Sequence, residues 1–250
     1  MDRDTLARTV DAFGRRWHRY EIVGADRIPR DRPSLVVLYH GFVPLDAWFF
    51  LARMHLEHGH FVRSLTDRFL MATPGLGGMA EAGGAVVGEP EAAYRLLREG
   101  HTVLVSPGGV REAIAGRRHH YRVHWGDRLG FARLALRAQV PLIPIFGENV
   151  EELYRSPGSD RAPFQALYER TRLPLVPVVG LGPLPFPVRL RTWVGHPIAP
   201  RPGEEPSALR DRVRCALQGL IDTHQGHRPR LPRGLWQRLR AAAPRTLDPG

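Results

Sequence analysis

The chain has 250 residues, of which 43% are hydrophobic and 24% are charged, and its formal net charge is +11. A chain of this length buries about three quarters of its unfolded surface, so these proportions exclude disorder of the whole chain. The single cysteine, Cys215, excludes an intramolecular disulfide framework and a thiolate zinc cluster.

The predicted elements begin with an amphipathic helix over residues 4–20. Its apolar face carries Leu6, Val10, Phe13 and Trp17. This face is expected to pack on the body of the protein, and docking on a membrane surface is the minority alternative.

The elements that follow alternate between strands and helices. A buried strand over 34–39 precedes a helix that starts near Pro44 and stops before Gly59. The further elements are strands at 85–87, 101–105, 140–146 and 189–194, and helices at 89–99, 127–138, 206–224 and 231–243. This alternation predicts an α/β fold with a mainly parallel central sheet flanked by helices.

Positive charge is concentrated in two segments, and the sequence contains arginine but no lysine. Residues 111–137 and residues 227–250 each carry a net charge of +5. Such segments favour an anionic partner, for example anionic lipid, nucleic acid or a phosphorylated cofactor. A solvated, arginine-rich surface without a partner explains the same pattern equally well.

The first of two candidate site loops spans residues 40–46, at the C-terminal end of a predicted strand, where open α/β sheets bind ligands. Histidine is the usual general base near neutral pH, and a carboxylate on its far ring nitrogen fixes the tautomer. A turn through Gly41 and Pro44 would bring Asp46 to His40. On spacing alone, a histidine that merely caps the next helix is favoured.

The second candidate loop spans residues 107–112. Gly108 and Gly109 permit close approach of the backbone and expose N–H groups to an anion. Arg111 adds a bidentate donor for phosphate or carboxylate. A tight turn with a solvated arginine is the alternative.

Together and in this order, the two loops resemble the motif blocks of the glycerolipid acyltransferase superfamily, and most of all its monoacylglycerol/diacylglycerol acyltransferase-like branch. The residues that carry the resemblance are 39–41, 107–113, 125–132, 140–149 and 194–198. The resemblance implies a glycerol-phosphate-acyltransferase-like αβ sandwich. The predicted domains are an N-terminal amphipathic helix at 1–20, an acyltransferase domain at 21–226 and a basic C-terminal tail at 227–250.

The resemblance also implies a reaction. A fatty acyl group passes from acyl-CoA or acyl carrier protein to a lipid hydroxyl, without a covalent enzyme intermediate and without a cofactor or metal. His40 would act as the base and Asp46 would orient it. N–H groups near Gly108 and Gly109 would stabilise the oxyanion. Arg111 would bind the phosphates of the acceptor or of coenzyme A. Glu112 is predicted to be a further substrate-binding residue.

The sequence departs from the pattern of the superfamily at two places. Five residues rather than four separate His40 from Asp46, as in some members of the branch, and Gly108 replaces the usual glutamate of its block. The second change favours a neutral acceptor, such as mono- or diacylglycerol or a long alcohol. The alternatives are a lysophospholipid or glycerol-phosphate acyltransferase and a non-catalytic lipid-binding protein.

The expected location is the cytoplasm, peripheral on the inner face of the membrane through the basic and amphipathic segments. We expect no signal peptide, because the N-terminus lacks a cationic start and an apolar core. No nucleic-acid partner is expected, since no groove-reading module is visible. Cys215 is expected in the core, and residues 75–84 are expected to form a mobile loop.

Overall fold

The computed structural model describes residues 2–109, 112, 119–157, 177–225 and 229–241. Its strands are β1 Glu21–Val23, β2 Ser34–Leu38, β3 Arg63–Thr66, β4 Ala85–Val87, β5 Thr102–Val105, β6 Leu142–Glu148 and β7 Arg191–Val194. Helices in these ranges are α1 Arg3–His18, α2 Leu45–His58, α3 Arg68–Ala72, α4 Leu76–Ala82, α5 Pro90–Arg98, α6 Gly130–Ala138, α7 Pro206–His224 and α8 Leu231–Arg240.

The seven strands form one sheet in the order β1-β7-β6-β2-β5-β3-β4. All neighbouring pairs are parallel except β6 and β7, which are antiparallel. The prediction of a mainly parallel sheet flanked by helices is therefore confirmed. Because β2 lies between β5 and β6, the C-terminal ends of these three strands meet at one edge of the sheet.

The central strands are mostly apolar because helices cover both faces of the sheet. Every residue of β2 and β6 is buried. Leu35 and Val37 of β2 join one apolar cluster, and Val36 and Leu38 join the cluster on the other face. The alternation of side chains along a strand thus supplies both halves of the core.

The first helix packs on the body of the protein, as the favoured alternative predicts. The Asp2 carboxylate caps its N-terminus by accepting a hydrogen bond from the N–H of Thr5 at 2.9 Å. The Phe13 ring lies 6.0 Å from the Phe49 ring of α2, and Leu6 is buried. The apolar face of α1 therefore contacts the rest of the protein. The division of the chain into three domains stays a prediction.

Two expectations about local structure are wrong. Residues 75–84 contain α4 rather than a mobile loop. A Cβ on Gly77 would lie 2.0 Å from the carbonyl oxygen of Met71, so glycine here permits close packing of α4 against α3. Cys215 is exposed rather than in the core. The buried stripe of α7 includes Val213 and Leu217, and Cys215 lies two positions from each, about 200° around the helix.

Candidate active site

His40 follows β2 at the edge where the three strand ends meet. It is half-buried, and its Nδ1 lies 2.8 Å from the carbonyl oxygen of Gly41. A carbonyl only accepts hydrogen bonds, so Nδ1 carries the proton of the neutral ring and Nε2 carries the lone pair. Burial lowers the pKa of His40. The ring is therefore neutral near pH 7, with Nε2 available as a base.

Asp46 lies in the first turn of α2, and its side chain is buried. Neither carboxylate oxygen accepts a hydrogen bond from the described part of the chain. The carboxylate instead faces β6, where a Cβ on Gly147 would lie 2.3 Å from Oδ2. Burial raises the pKa of Asp46 to about 7. Gly41, rather than Asp46, is thus the hydrogen-bond partner of Nδ1, and the catalytic role of Asp46 stays a prediction.

The Glu112 carboxylate joins the loop after β2 to the segment that precedes α6. Its Oε2 accepts from the N–H of His40 at 3.3 Å, and its Oε1 accepts from the N–H of His124 at 2.9 Å. A Cβ on Gly108 would lie 2.1 Å from Glu112 Oε2, so only glycine fits beside this carboxylate. Burial raises the pKa of Glu112 to about 7. The structure thus places Gly108 and Glu112 beside His40, and their role in substrate binding stays a prediction.

The other predicted residues of the second loop differ in what they offer a ligand. The N–H of Gly109 already donates to the carbonyl of Ser106 at 3.1 Å, which leaves the N–H of Gly108 as the candidate oxyanion donor. Gly109 has a φ of +52°, in the left-handed region that favours glycine. Arg128 donates to the carbonyls of Pro107 and Gly108 and so fixes this turn. Arg111 lies outside the described residues.

A second buried carboxylate holds the His40 loop from the β6 side. Glu151 Oε1 accepts from the Tyr39 hydroxyl at 2.7 Å, and its Oε2 accepts from the N–H of Phe42 at 3.4 Å. Glu151 therefore contacts the chain on both sides of His40. Burial, which disfavours the charged form, raises the pKa of Glu151 to about 8.

Glu152 extends this network toward the C-terminal segment. It accepts hydrogen bonds from the Tyr121 hydroxyl, from Gln225 Nε2 at 3.0 Å and from the N–H of Arg230 at 2.7 Å. Sequence analysis missed both Glu151 and Glu152. The signal was available, since these two acidic residues closely follow the apolar run 140–146.

A cavity of about 690 Å³ opens beside this network, and its lining is mostly apolar. Its lining residues are His120, Glu151, Glu152, Tyr154, Arg155, Ser156, Pro157, Val179, Pro229, Arg230, Leu231, Pro232 and Arg233. Because Glu151 also binds Tyr39 and Phe42, the cavity lies next to the His40 loop. Its volume is within the range of small-molecule sites.

Two family models match the chain. The model described as "Acyltransferase" matches residues 19–147, and the model described as "Diacylglycerol acyltransferase" matches residues 91–211. The chain belongs to the acyltransferase family. The resemblance to glycerolipid acyltransferases, including the diacylglycerol branch, is thereby confirmed, and the protein is an acyltransferase.

Two relatives agree with this assignment. A human protein named "DGAT1/2-independent enzyme synthesizing storage lipids" is 38% identical over 223 residues, which are 89% of this chain and 67% of that protein. The chicken protein of the same name is 38% identical over 241 residues, covering 95% of this chain and 69% of that protein. The chain thus spans about two thirds of the length of these relatives.

One solved structure with a similar fold is the 1-acyl-sn-glycerophosphate (LPA) acyltransferase from Thermotoga maritima. It matches with a TM-score of 0.61 at 17% identity, over 88% of this chain and 81% of that chain. This similarity supports the fold. Among the described helices, none combines the length and the apolar character needed to cross a bilayer.

The buried carboxyls predict that stability falls as pH rises. In the folded state the pKa values of Asp46 and Glu112 are about 7, above their ordinary values of 3.8 and 4.5. The folded state therefore keeps protons that the unfolded state has lost, so the free energy of unfolding decreases between about pH 5 and pH 8. Asp46→Asn removes this titration. We expect the difference in free energy of unfolding between Asp46→Asn and wild type to be roughly 2 kcal/mol more favourable to the variant at pH 8 than at pH 5.

Urea unfolding at pH 5 and pH 8 measures this difference. Replacement of Asp31, which is exposed, by Asn is the matched control and should show no pH-dependent gain. An equal effect of Asp46→Asn at both pH values would show that the folded state does not hold Asp46 protonated near pH 7.

Gly41 provides a test of the loop geometry. A Cβ at this position would lie 2.6 Å from Cγ2 of Val150, so Gly41→Ala should displace the His40 loop. We expect the rate of acyl transfer to fall roughly tenfold to a hundredfold. Adding Val150→Ala removes the obstructing methyl groups and should restore part of the rate. If the double variant is no faster than Gly41→Ala, the clash is not the cause.

Proposed function

We propose that the protein transfers a fatty acyl group from acyl-CoA to the hydroxyl of mono- or diacylglycerol or of a long alcohol. His40 acts as the general base, and no covalent enzyme intermediate forms. The observation that carries the proposal is the hydrogen bond of His40 Nδ1 to Gly41. It leaves Nε2 basic at the carboxyl edge of the sheet. The mostly apolar cavity is lined by Glu151, which holds the His40 loop, and not by His40 itself.

The proposed reaction has two proton transfers. Nε2 of His40 takes the proton of the acceptor hydroxyl while the oxygen attacks the thioester carbonyl. The N–H of Gly108 donates to the oxyanion that develops. The C–S bond then breaks, and the leaving thiolate receives the proton from the imidazolium, which gives the ester and free coenzyme A.

Asp46 enters the proposal as the group that stabilises the imidazolium in its ionised form, which its pKa of about 7 makes the major form only above neutral pH. It is buried in the helix turn that directly follows the His40 loop, where a charge interacts over a longer range than in water. Because Gly41 already holds Nδ1, this role is electrostatic and needs no direct hydrogen bond.

The proposed acceptor is neutral for two reasons. The curated relatives are named as enzymes synthesizing storage lipids, and the diacylglycerol acyltransferase model covers the second loop. Gly108 also stands where the superfamily pattern has a glutamate, and the Glu112 side chain fills the space beside it. Acyl carrier protein is the alternative donor, and the proposed location is the cytoplasmic face of the membrane.

One observation favours a phosphorylated acceptor as the second candidate. Arg155, Arg230 and Arg233 line the cavity, and arginine suits phosphate recognition. A lysophospholipid or glycerol-phosphate acceptor would then place its phosphate among these side chains.

A transfer assay tests the proposal. Purified protein is given radiolabelled oleoyl-CoA with diacylglycerol, monoacylglycerol, a long alcohol or lysophosphatidate. We expect labelled ester mainly with the neutral acceptors, and a fall of roughly 10²–10⁴-fold for His40→Gln. Replacement of His101 by Gln, at the opposite edge of the sheet just before β5, is the matched control and should retain activity. Full activity of His40→Gln would contradict the mechanism.

The same assay separates the two acceptor classes. Arg111→Ala should raise KM mainly for lysophosphatidate if a phosphorylated acceptor is used. An equal change with all acceptors would point to coenzyme A as the group that Arg111 binds.

A further inference from the structure

Exposed apolar side chains lie in the two segments, 178–184 and 231–240, that each contribute residues to the cavity lining. Six such residues lie in two segments, and we call them the apolar rim: Val178, Val179, Leu181, Leu184, Trp236 and Leu239. The exposed fraction reaches 52% for Trp236 and 77% for Leu239. Isolated exposed apolar residues are ordinary, but a group of this size marks an interaction surface.

The two segments of the rim lie on the same side of the molecule. Val179 lines the cavity together with Pro232 and Arg233 of α8. Trp17 also connects them, because its Nε1 donates to the carbonyl of Pro185 while its own carbonyl accepts from Arg238.

The segment that carries Leu181 and Leu184 is a fixed turn. The backbone groups of these two residues pair with each other, with N–O distances of 2.8 and 3.3 Å. The hydroxyl of Tyr154 donates to the carbonyl of Pro183 at 3.2 Å. The apolar side chains at this tip are therefore held outward with little conformational freedom left to lose on binding.

The surroundings of the rim are positively charged. Residues 229–241 contain four arginines and no acidic residue, and residues 177–189 contain no acidic residue either. Arg240 lies over the Trp236 ring, 3.7 Å from its centre. An apolar tip beside arginine and tryptophan is suited to the interface of an anionic bilayer, where arginine binds headgroups and tryptophan lies at their level.

We propose that the apolar rim docks on an anionic lipid surface and opens the cavity directly to the bilayer. The inference rests on the proposed function, since a lipid acceptor would then enter the cavity without crossing water. It assigns membrane contact to the 177–184 turn and the outer face of α8, and not to the apolar face of α1, which contacts α2.

Vesicle co-sedimentation tests this docking. Full-length protein is mixed with vesicles of phosphatidylcholine alone or of phosphatidylcholine with phosphatidylglycerol. We expect the triple replacement Leu181→Ser, Trp236→Ser and Leu239→Ser to weaken binding to the anionic vesicles roughly tenfold or more. The matched control, Phe69→Ser with Leu76→Ser, changes exposed apolar residues on α3 and α4 and should bind like wild type.

Unchanged binding of the rim variant, or an equal loss in the control, would overturn the docking proposal. So would a rim-dependent dimer of the free protein in sedimentation, since the rim would then be covered by a second copy.

A transfer assay with a short-chain acceptor dissolved in water distinguishes a failure of the docking proposal from a failure of the proposed function. A rim variant that is active there but slow on vesicle-borne acceptor supports both proposals. Rim-dependent binding without any transfer, even by wild type, would leave the docking standing and remove the proposed function.

Discussion

The position of β2 between β5 and β6 is the constraint on which the site depends. Parallel strands end at the same edge of the sheet, so the loops that carry His40, Gly108 and Glu151 leave the sheet side by side. Two buried carboxylates then fix the middle loop. Glu112 accepts the N–H of His40, and Glu151 binds the residues on either side of it. These contacts fix the backbone around His40, and the carbonyl of the neighbouring Gly41 then orients the ring through its hydrogen bond to Nδ1.

Buried carboxyl groups are costly, and this site contains several. Glu112, Glu151 and Glu152 each accept hydrogen bonds from backbone N–H groups, side-chain donors or both, which offsets part of the cost of removing them from water. Neither carboxylate oxygen of Asp46 has a hydrogen-bond partner within the described chain, and burial raises its pKa from 3.8 to about 7. A buried carboxyl of this kind beside the His40 loop marks Asp46 as a candidate functional residue.

The sequence pattern predicted the parts of the fold that have a strong period or a continuous apolar run. The strands β2 and β6 and the helix α7 lie where their patterns predict. The strand β3 was missed because its four residues, Arg63–Thr66, are half-buried and mostly polar. Spacing along the chain placed His40, Gly108 and Glu112 at one edge, but it carried no information on side-chain direction. The family resemblance implied that His40 donates a hydrogen bond to Asp46, where the structure has the carbonyl of Gly41, and neither spacing nor resemblance indicated the contacts of Glu151.

The tautomer of His40 is the most direct test of the account. The protein is labelled with ¹⁵N-histidine, and the ring nitrogens of His40 are assigned by comparison with His40→Gln near neutral pH. The account predicts that Nδ1 bears the proton and Nε2 has the shift of an unprotonated nitrogen. A neutral ring protonated on Nε2, or a ring protonated on both nitrogens, would contradict the assignment of Nε2 as the base.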